Sequence, residues 1–192
     1  MSEIKRLAVY CGANAGANAA YTDAARDLIR EMAARGIDLV YGGGKLGLMG
    51  IIADEMLSAG GKVYGVIPQA LVDKEVAHRG LTELHTVNTM HERKAAFTEL
   101  SDGFVCLPGG IGTLDELFEA WTWNALGYHA KPFCLLNVDN FWDGLTDFMD
   151  HVSASGFLSE ARRAQLLKAA TPAEALDLLD SAVKTATQGM TW

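Results

Sequence analysis

Positive charge is in short supply in this sequence. The chain has 16 lysine and arginine residues against 24 aspartate and glutamate residues, which gives a formal net charge of −8 and a pI near 5.0. No stripe of basic residues is visible along the chain. Because binding to a polyanion depends on clustered positive charge, a nucleic acid is not expected as the main partner. A small anionic ligand stays compatible with the sequence if positive charge is concentrated locally.

Cysteine is scarce, and segments that would direct the chain to a membrane are lacking. The three cysteines, Cys11, Cys106 and Cys134, are odd in number and lie in strand-like apolar runs, which favours buried free thiols in a reducing compartment over disulfides. The N-terminal residues show no signal-peptide pattern, and no apolar run approaches the length of a membrane span. We therefore expect a soluble cytoplasmic protein without a membrane partner.

Internal repeats, low-complexity tracts and linkers are also absent. The 192 residues are 49% hydrophobic and 21% charged, which is an ordinary globular composition and excludes a disordered chain. This length is enough for one compact core. The sequence predicts a single domain spanning residues 1–192.

Short aliphatic runs alternate with helical stretches along the chain. The predicted strands are residues 7–11, 38–41, 62–67, 81–86, 103–107 and 133–138. The predicted helices are residues 19–35, 48–59, 90–100, 114–126, 141–153, about 160–168 and 172–184, the last with Thr171 as N-cap. Weak alternation is typical of strands covered on both faces. The order predicts a three-layer α/β fold, a doubly wound, Rossmann-like parallel sheet flanked by helices.

Three predicted strands end in glycine-rich segments, at residues 12–16, 42–50 and 108–112. One such segment is weak evidence, since tight strand-to-helix turns use glycine in any case. Three at the edge where open α/β sheets bind ligands predict a binding site. The first lacks the dinucleotide spacing and the third lacks the lysine of a Walker loop, so neither an NAD enzyme nor an ATPase is expected.

The third segment is the most informative one. Gly109, Gly110 and Gly112 precede a helical pattern that starts at Thr113. Glycine backbone at a helix N-terminus lets N–H groups approach a phosphate, and the helix dipole favours its charge. The pattern also places Glu116 on the first helical turn. An alternative is that Thr113 and Glu116 form only a capping box, in which the glutamate satisfies a backbone N–H.

A basic pair, Arg93 and Lys94, lies near the start of the preceding helix. Cations there oppose the helix dipole, and Thr89 with Glu92 already makes a capping box. Anion binding at the same sheet edge explains this placement, and a solvated surface pair is the alternative. The five histidines show no metal-ligand spacing and no acidic partner pattern, so we expect surface histidines and no metal site.

Two motifs at this spacing closely resemble the Lonely Guy (LOG) family, the cytokinin-activating phosphoribohydrolases long labelled as lysine decarboxylase-like. These motifs are Met90-x-x-Arg93-Lys94 and Pro108-Gly-Gly-x-Gly-Thr-x-x-Glu116, and the resemblance runs from residue 11 to about residue 138. It implies a Rossmann-like fold and usually a homodimer. It also implies hydrolysis of the N-glycosidic bond of AMP or an N6-substituted AMP, which yields a free base and ribose 5-phosphate without a cofactor.

The resemblance also implies roles for individual residues. Arg93 and Glu116 match the catalytic pair. The residues matching phosphate- and substrate-contacting positions are Gly43, Glu75, Met90, Lys94, Gly109, Gly110, Ile111, Gly112, Thr113 and Thr122. The first loop departs from the family pattern, since Ala13 and Asn14 stand where serines are common.

The implied reaction assigns chemistry to the catalytic pair. Cleavage of a glycosidic bond to a base develops oxocarbenium-like positive charge on the ribose, which the carboxylate of Glu116 would stabilise. Arg93 is expected to keep that carboxylate ionised by lowering its pKa.

Two alternatives are a pyridoxal-phosphate lysine decarboxylase, for which the chain is short, and a non-catalytic carrier that binds a nucleotide or cofactor through its glycines. Trp121 and Trp123 face different directions on one helix, so one of them is a candidate for a dimer contact, and burial under the C-terminal helices is the alternative.

Overall fold

A computed structural model describes residues 4–72 and 77–188, and within them seven parallel strands form one sheet in the order β4-β3-β2-β1-β5-β6-β7. The strands are β1 Arg6–Tyr10, β2 Asp38–Tyr41, β3 Val63–Pro68, β4 Glu83–Val87, β5 Gly103–Cys106, β6 Phe133–Leu136 and β7 Leu166–Ala169. The helices are α1 Ala19–Ala34, α2 Gly47–Ser58, α3 Gln69–Val72, α4 Met90–Leu100, α5 Ile111–Ala125, α6 Asp143–Ala154, α7 Glu160–Ala164 and α8 Pro172–Gln188.

Side chains of the central strands alternate between two hydrophobic layers. On β1, Leu7 and Val9 join the layer formed with α1, α2 and α8, whereas Ala8 and Tyr10 join the layer formed with α4, α5 and α6. Alternation of this kind follows from the two-residue period of a strand. Both faces of the sheet are therefore covered, and the predicted three-layer, Rossmann-like α/β fold is confirmed.

The chain reverses its direction of winding at β1. This strand pairs with β2 on one side and with β5 on the other, and Leu7 lies opposite both Leu39 and Gly103. The connections leaving β1 and β5 consequently run to opposite faces of the sheet. Such a switch point opens a crevice beyond the carboxyl ends of the two strands, where ligands of α/β proteins bind.

One helix begins earlier than predicted. Helix α5 starts at Ile111 with Gly110 as its N-cap, so Glu116 lies on the second turn and the prediction of the first turn was wrong. The glycines suggested a longer loop because they are poor helix formers. Propensity is a weak prior, however, and the first turn of a helix needs no intrahelical partners for its N–H groups.

The segment predicted as a helix near residues 160–168 divides into two elements. Helix α7 ends at Ala164, and Leu166–Ala169 forms β7, paired in parallel with β6. A four-residue apolar run cannot be assigned to helix or strand by periodicity alone, and here pairing with β6 decides it. The N-cap prediction for α8 is confirmed, because Thr171 Oγ1 accepts a hydrogen bond of 3.3 Å from Glu174 N.

The cysteines are buried as predicted, but three of the five histidines are not at the surface as predicted. All three cysteines are buried free thiols, as predicted. The prediction of surface histidines was wrong for His78, His85 and His129, which are half-buried. His78 contacts Asp54 at 3.0 Å, a partner 24 residues away that no local pattern reveals.

Among residues 4–72 and 77–188, no helix is long and apolar enough to cross a membrane, and no cluster of three potential metal ligands occurs.

Candidate active site

The three glycine-rich loops meet at the switch point and enclose a cavity of about 470 Å³. Their backbones touch directly. Gly12 N donates a hydrogen bond of 3.1 Å to Pro108 O, and a Cβ atom on Gly47 would lie only 2.3 Å from Ala13 O. The loops following β1, β2 and β5 therefore pack at distances that only glycine allows, and the predicted convergence of the three segments is confirmed.

The loop after β5 forms an open cradle at the N-terminus of α5. A Cβ on Gly109 would lie 2.1 Å from Thr113 Oγ1, whereas Gly110 and Gly112 have nothing within 4 Å of that position. No side chain caps the helix at Gly110. The first N–H groups of α5 are consequently available to an anion in the cavity, where the positive end of the helix dipole adds to the attraction.

Arg93 and Glu116 form an ion pair in the wall of this cavity. Arg93 Nη1 lies 3.2 Å from Glu116 Oε1, and only 12% of each side chain is exposed. Arg93 Nε donates to Val66 O at 3.1 Å and Nη2 donates to Gly42 O at 3.4 Å. The guanidinium also lies 5.3 Å from the ring centroid of Phe97. The arginine is thus held on several sides, and the alternative of a solvated surface residue was wrong.

Burial dominates the electrostatics of Glu116. Its pKa is raised from an ordinary value of 4.5 to about 7, because burial disfavours the charged form, and Arg93 lowers the pKa by less than burial raises it. The expectation that Arg93 lowers the pKa of Glu116 is confirmed, but burial outweighs the arginine and the net shift is upward. The capping-box interpretation was wrong, since Glu116 lies beyond the first turn and faces Arg93.

Other residues implied by the resemblance are not among the described residues that line the cavity. Lys94 is ion-paired with Asp115 at 3.0 Å and with Glu119. Thr122 is exposed and donates a hydrogen bond of 2.7 Å to Phe118 O. The remaining members of the set are Gly43, which has a left-handed φ of 72°, Met90 and Ile111, which are exposed, and Glu75, which lies outside the described residues.

Several residues that line the cavity were not predicted from the sequence. Tyr21 and Phe141 contribute aromatic rings, and Met49 and Leu71 contribute aliphatic surface. Tyr21, Met49 and Leu71 lie on α1, α2 and α3, and Phe141 lies between β6 and α6. Met49 falls within the glycine-rich segment 42–50, but its side chain had no predicted role, and no local pattern marks the other three.

Comparison with known proteins identifies relatives over most of the chain. The family model described as "Possible lysine decarboxylase" matches residues 49–179. A cytokinin riboside 5′-monophosphate phosphoribohydrolase, LOG, from Oryza sativa subsp. japonica is 44% identical over 191 residues, covering 100% of this chain and 79% of the relative. The cytokinin riboside 5′-monophosphate phosphoribohydrolase LOG2 from Arabidopsis thaliana is 43% identical over 182 residues, covering 95% of this chain and 85% of the relative. The chain belongs to the LOG family.

The fold of this LOG-family chain is shared more widely than its sequence. The molybdenum cofactor carrier protein from Chlamydomonas reinhardtii matches it with a TM-score of 0.70 at 18% identity, covering 94% of this chain and 98% of the carrier. At that level of identity, the likeness concerns the fold alone. Choosing between the activities of such proteins therefore depends on the residues in the cavity.

A matched pair of substitutions tests the architecture of the cradle. Gly109→Ala should lower the free energy of unfolding by about 1–3 kcal/mol, because the new methyl group would overlap Thr113 Oγ1 and the backbone at Gly12. Gly110→Ala should change it by less than about 0.5 kcal/mol, since its Cβ position is open. Urea unfolding measures both. Equal effects of the two substitutions would contradict this packing of the loops.

The ion pair makes a prediction about titration. Arg93→Met should raise the pKa of Glu116 above its value of about 7, because the substitution removes the positive charge that lowers it. Carboxyl carbon chemical shifts followed against pH report this change. Arg163→Met is the control, since Arg163 pairs with Asp150 outside the cavity and should leave the titration of Glu116 unaltered. A pKa of Glu116 that stays constant or falls in Arg93→Met would exclude the described pairing.

Proposed function

We propose that this protein is a phosphoribohydrolase that cleaves the N-glycosidic bond of AMP or an N6-substituted AMP. The products are a free base and ribose 5-phosphate. The observation that carries the proposal is the buried Glu116–Arg93 pair in the same cavity as an uncapped, glycine-rich helix N-terminus. The names of the relatives from rice and Arabidopsis support the same reaction.

The cradle is the proposed binding site of the 5′-phosphate. Backbone N–H groups at Gly110, Ile111 and Gly112 would donate to its oxygens, and the hydroxyl of Thr113 borders the same space. Gly109 keeps the loop close enough to Thr113 for this arrangement. The phosphate then supplies binding energy remote from the reacting bond, which orients the ribose in front of Glu116.

In the reaction, the bond between C1′ of the ribose and the base nitrogen breaks, and the base leaves with the electron pair. Positive charge develops on C1′ and the ring oxygen, and the ionised carboxylate of Glu116 stabilises it. A water molecule then delivers hydroxide to C1′, and its proton balances the charge of the departing base. Arg93 is a positioning residue in this scheme, because its guanidinium joins Glu116 to the backbone oxygens of Val66 and Gly42 and so fixes the carboxylate.

Two alternatives fit the cavity less well. A carrier that only held an anion would gain nothing from Glu116, whose charge repels a phosphate and whose burial is costly. A pyridoxal-phosphate enzyme needs a free lysine amine, and no lysine lines the part of this cavity formed by described residues. Lys94, the nearest in sequence to Arg93, is instead paired with Asp115 and Glu119.

A homodimer belongs to the proposal. Large apolar side chains on and next to α4 and α5 are exposed, namely Met90, Ile111, Leu126 and Tyr128. Exposed apolar surface of this kind is typical of subunit contacts. Sedimentation that shows only a 20.6 kDa monomer would reject the dimer.

The buried free thiols support a reducing, cytoplasmic location, and the net charge of −8 does not favour nucleic acid as a partner.

The direct test is base release from nucleotides. Purified protein incubated with AMP or N6-isopentenyl-AMP in EDTA should yield the free base and ribose 5-phosphate, which chromatography detects. Adenosine, which lacks the phosphate, should have a kcat/KM at least about a hundredfold lower, the order expected for loss of a charge-assisted phosphate site. No base release from either nucleotide would reject the proposed function. Similar kcat/KM values for adenosine and AMP would reject the phosphate cradle.

Replacing Glu116 with glutamine tests whether its negative charge is needed for catalysis, because glutamine has nearly the same shape but no charge. Glu116→Gln should lower kcat by about a hundredfold or more, because it removes the charge that meets the oxocarbenium ion. The affinity for ribose 5-phosphate should change little, since the cradle is made of backbone.

In the unsubstituted enzyme, kcat/KM should fall as the pH drops below about 7, where Glu116 becomes protonated. The glutamine variant is the control for titration of the substrate phosphate, and near-normal turnover of that variant would exclude a catalytic Glu116.

A further inference from the structure

We infer that Tyr21 and Phe141 form an aromatic wall of the cavity that binds the face of the substrate's base. The two residues lie far apart in the sequence, and both line the same cavity as Glu116 and the cradle. The inference deepens the proposed function and rests on it, because it assumes that the ligand is a purine nucleotide. It assigns these two residues as determinants of base recognition.

The two rings of the aromatic wall contact each other. Tyr21 lies on the first turn of α1, and its ring centroid is 5.7 Å from that of Phe141 with an angle of 78° between the planes. Phe141 in turn contacts the buried Trp142, with ring centroids 4.8 Å apart. Phe141 nevertheless exposes 39% of its surface. One side of a large apolar ring is therefore anchored in the fold, and the other is open to a ligand.

The backbone before Phe141 is held in an unusual conformation. Asp139 and Asn140 both have left-handed φ angles, 50° and 58°, and two consecutive non-glycine residues rarely adopt this conformation. Asn18 Nδ2 donates to Asp139 Oδ2 at 2.7 Å, and Asn137 Oδ1 accepts from Trp142 N at 2.8 Å. Conformations of this kind persist where the surroundings enforce them, and they cluster at ligand sites.

The position of Tyr21 is fixed in a similar way. Gly16 has a left-handed φ of 79°, and a Cβ atom there would lie 2.7 Å from Tyr21 Cδ2. A side chain at residue 16 would therefore displace the ring. Both halves of the aromatic wall thus depend on local backbone features of the loops that follow β1 and β6.

Apart from the cradle and the ion pair, the cavity offers the base aliphatic surface from Met49 and Leu71 and the two rings of the aromatic wall. The cradle suits the phosphate, and the Arg93–Glu116 pair suits the sugar. A purine base presents a flat π-face, which gains from offset stacking or an edge contact with an aromatic ring. Tyr21 and Phe141 supply the aromatic rings among the described residues that line the cavity. Because Phe141 extends to solvent, an apolar group on N6 of the base would find further surface beside it.

Substitutions at Phe141 test the inference by comparing ligands with and without a base. Phe141→Ala should lower kcat/KM for AMP by about fivefold to tenfold, the equivalent of one lost aromatic contact, and should lower it further for N6-isopentenyl-AMP. The inhibition constant of ribose 5-phosphate should stay within about twofold of its original value, since that ligand has no base. Phe141→Leu, which keeps apolar bulk without a π-face, should give an intermediate loss.

Phe157→Ala is the matched control. Phe157 is largely exposed and does not line the cavity, so its substitution should leave all three constants unchanged. Unchanged kcat/KM values in Phe141→Ala would overturn the inference, as would an equal loss of affinity for ribose 5-phosphate. If Met49→Ala selectively weakens the nucleotides while Phe141→Ala does not, the base lies against Met49 instead and the inference is wrong.

A binding measurement separates this inference from the proposed function. If the unsubstituted protein releases no base from any nucleotide, the function fails, but calorimetry of AMP and ribose 5-phosphate still tests the aromatic wall. AMP should then bind more tightly than ribose 5-phosphate, and Phe141→Ala should remove most of that difference. Equal affinities of the original protein for the two ligands would overturn the wall independently of catalysis.

Discussion

The arrangement of the cavity depends on one buried ion pair, Arg93 with Glu116. It joins α4 to α5 across the end of the sheet, and through Val66 O and Gly42 O it also ties these helices to β3 and to the loop after β2. Four elements thereby acquire fixed positions around one carboxylate. Without this pair, the glycine-rich loops would still form a concave surface, but no charged side chain would remain among the described residues that line it.

Burial of this pair costs free energy, because both charged groups lose hydration, and the effect is seen in the pKa of Glu116. Removing a carboxylate from water is only partly offset by one guanidinium, which is why the pKa of Glu116 is raised to about 7 despite Arg93. A well-packed apolar pair would serve stability as well or better. A charged group retained under these conditions suits a site in which positive charge develops on the substrate. The same low-polarity surroundings strengthen that interaction.

The comparison with the molybdenum cofactor carrier illustrates how fold and function separate. A shared sheet with a switch point provides a crevice and a helix N-terminus, and these suit many phosphorylated ligands. What distinguishes a hydrolase on such a scaffold is the chemistry added at the crevice. Here that addition consists of a carboxylate beside the cradle and, by our inference, an aromatic wall for the base.

The amino-acid sequence by itself determined the order of the first six strands and of the long helices, the three glycine-rich loops and the residues of the LOG motifs. These features are local, because hydrophobic periodicity and glycine act over a few residues. Only the tertiary structure decided that residues 166–169 form a strand, that Glu116 lies on a second turn and that its pKa is raised rather than lowered. The partners of Arg93 at Val66 and Gly42 lie 27 and 51 residues away, and Phe141 reaches the cavity through a packed turn. Burial and long-range contact depend on the whole fold, so no pattern within a short segment contains them.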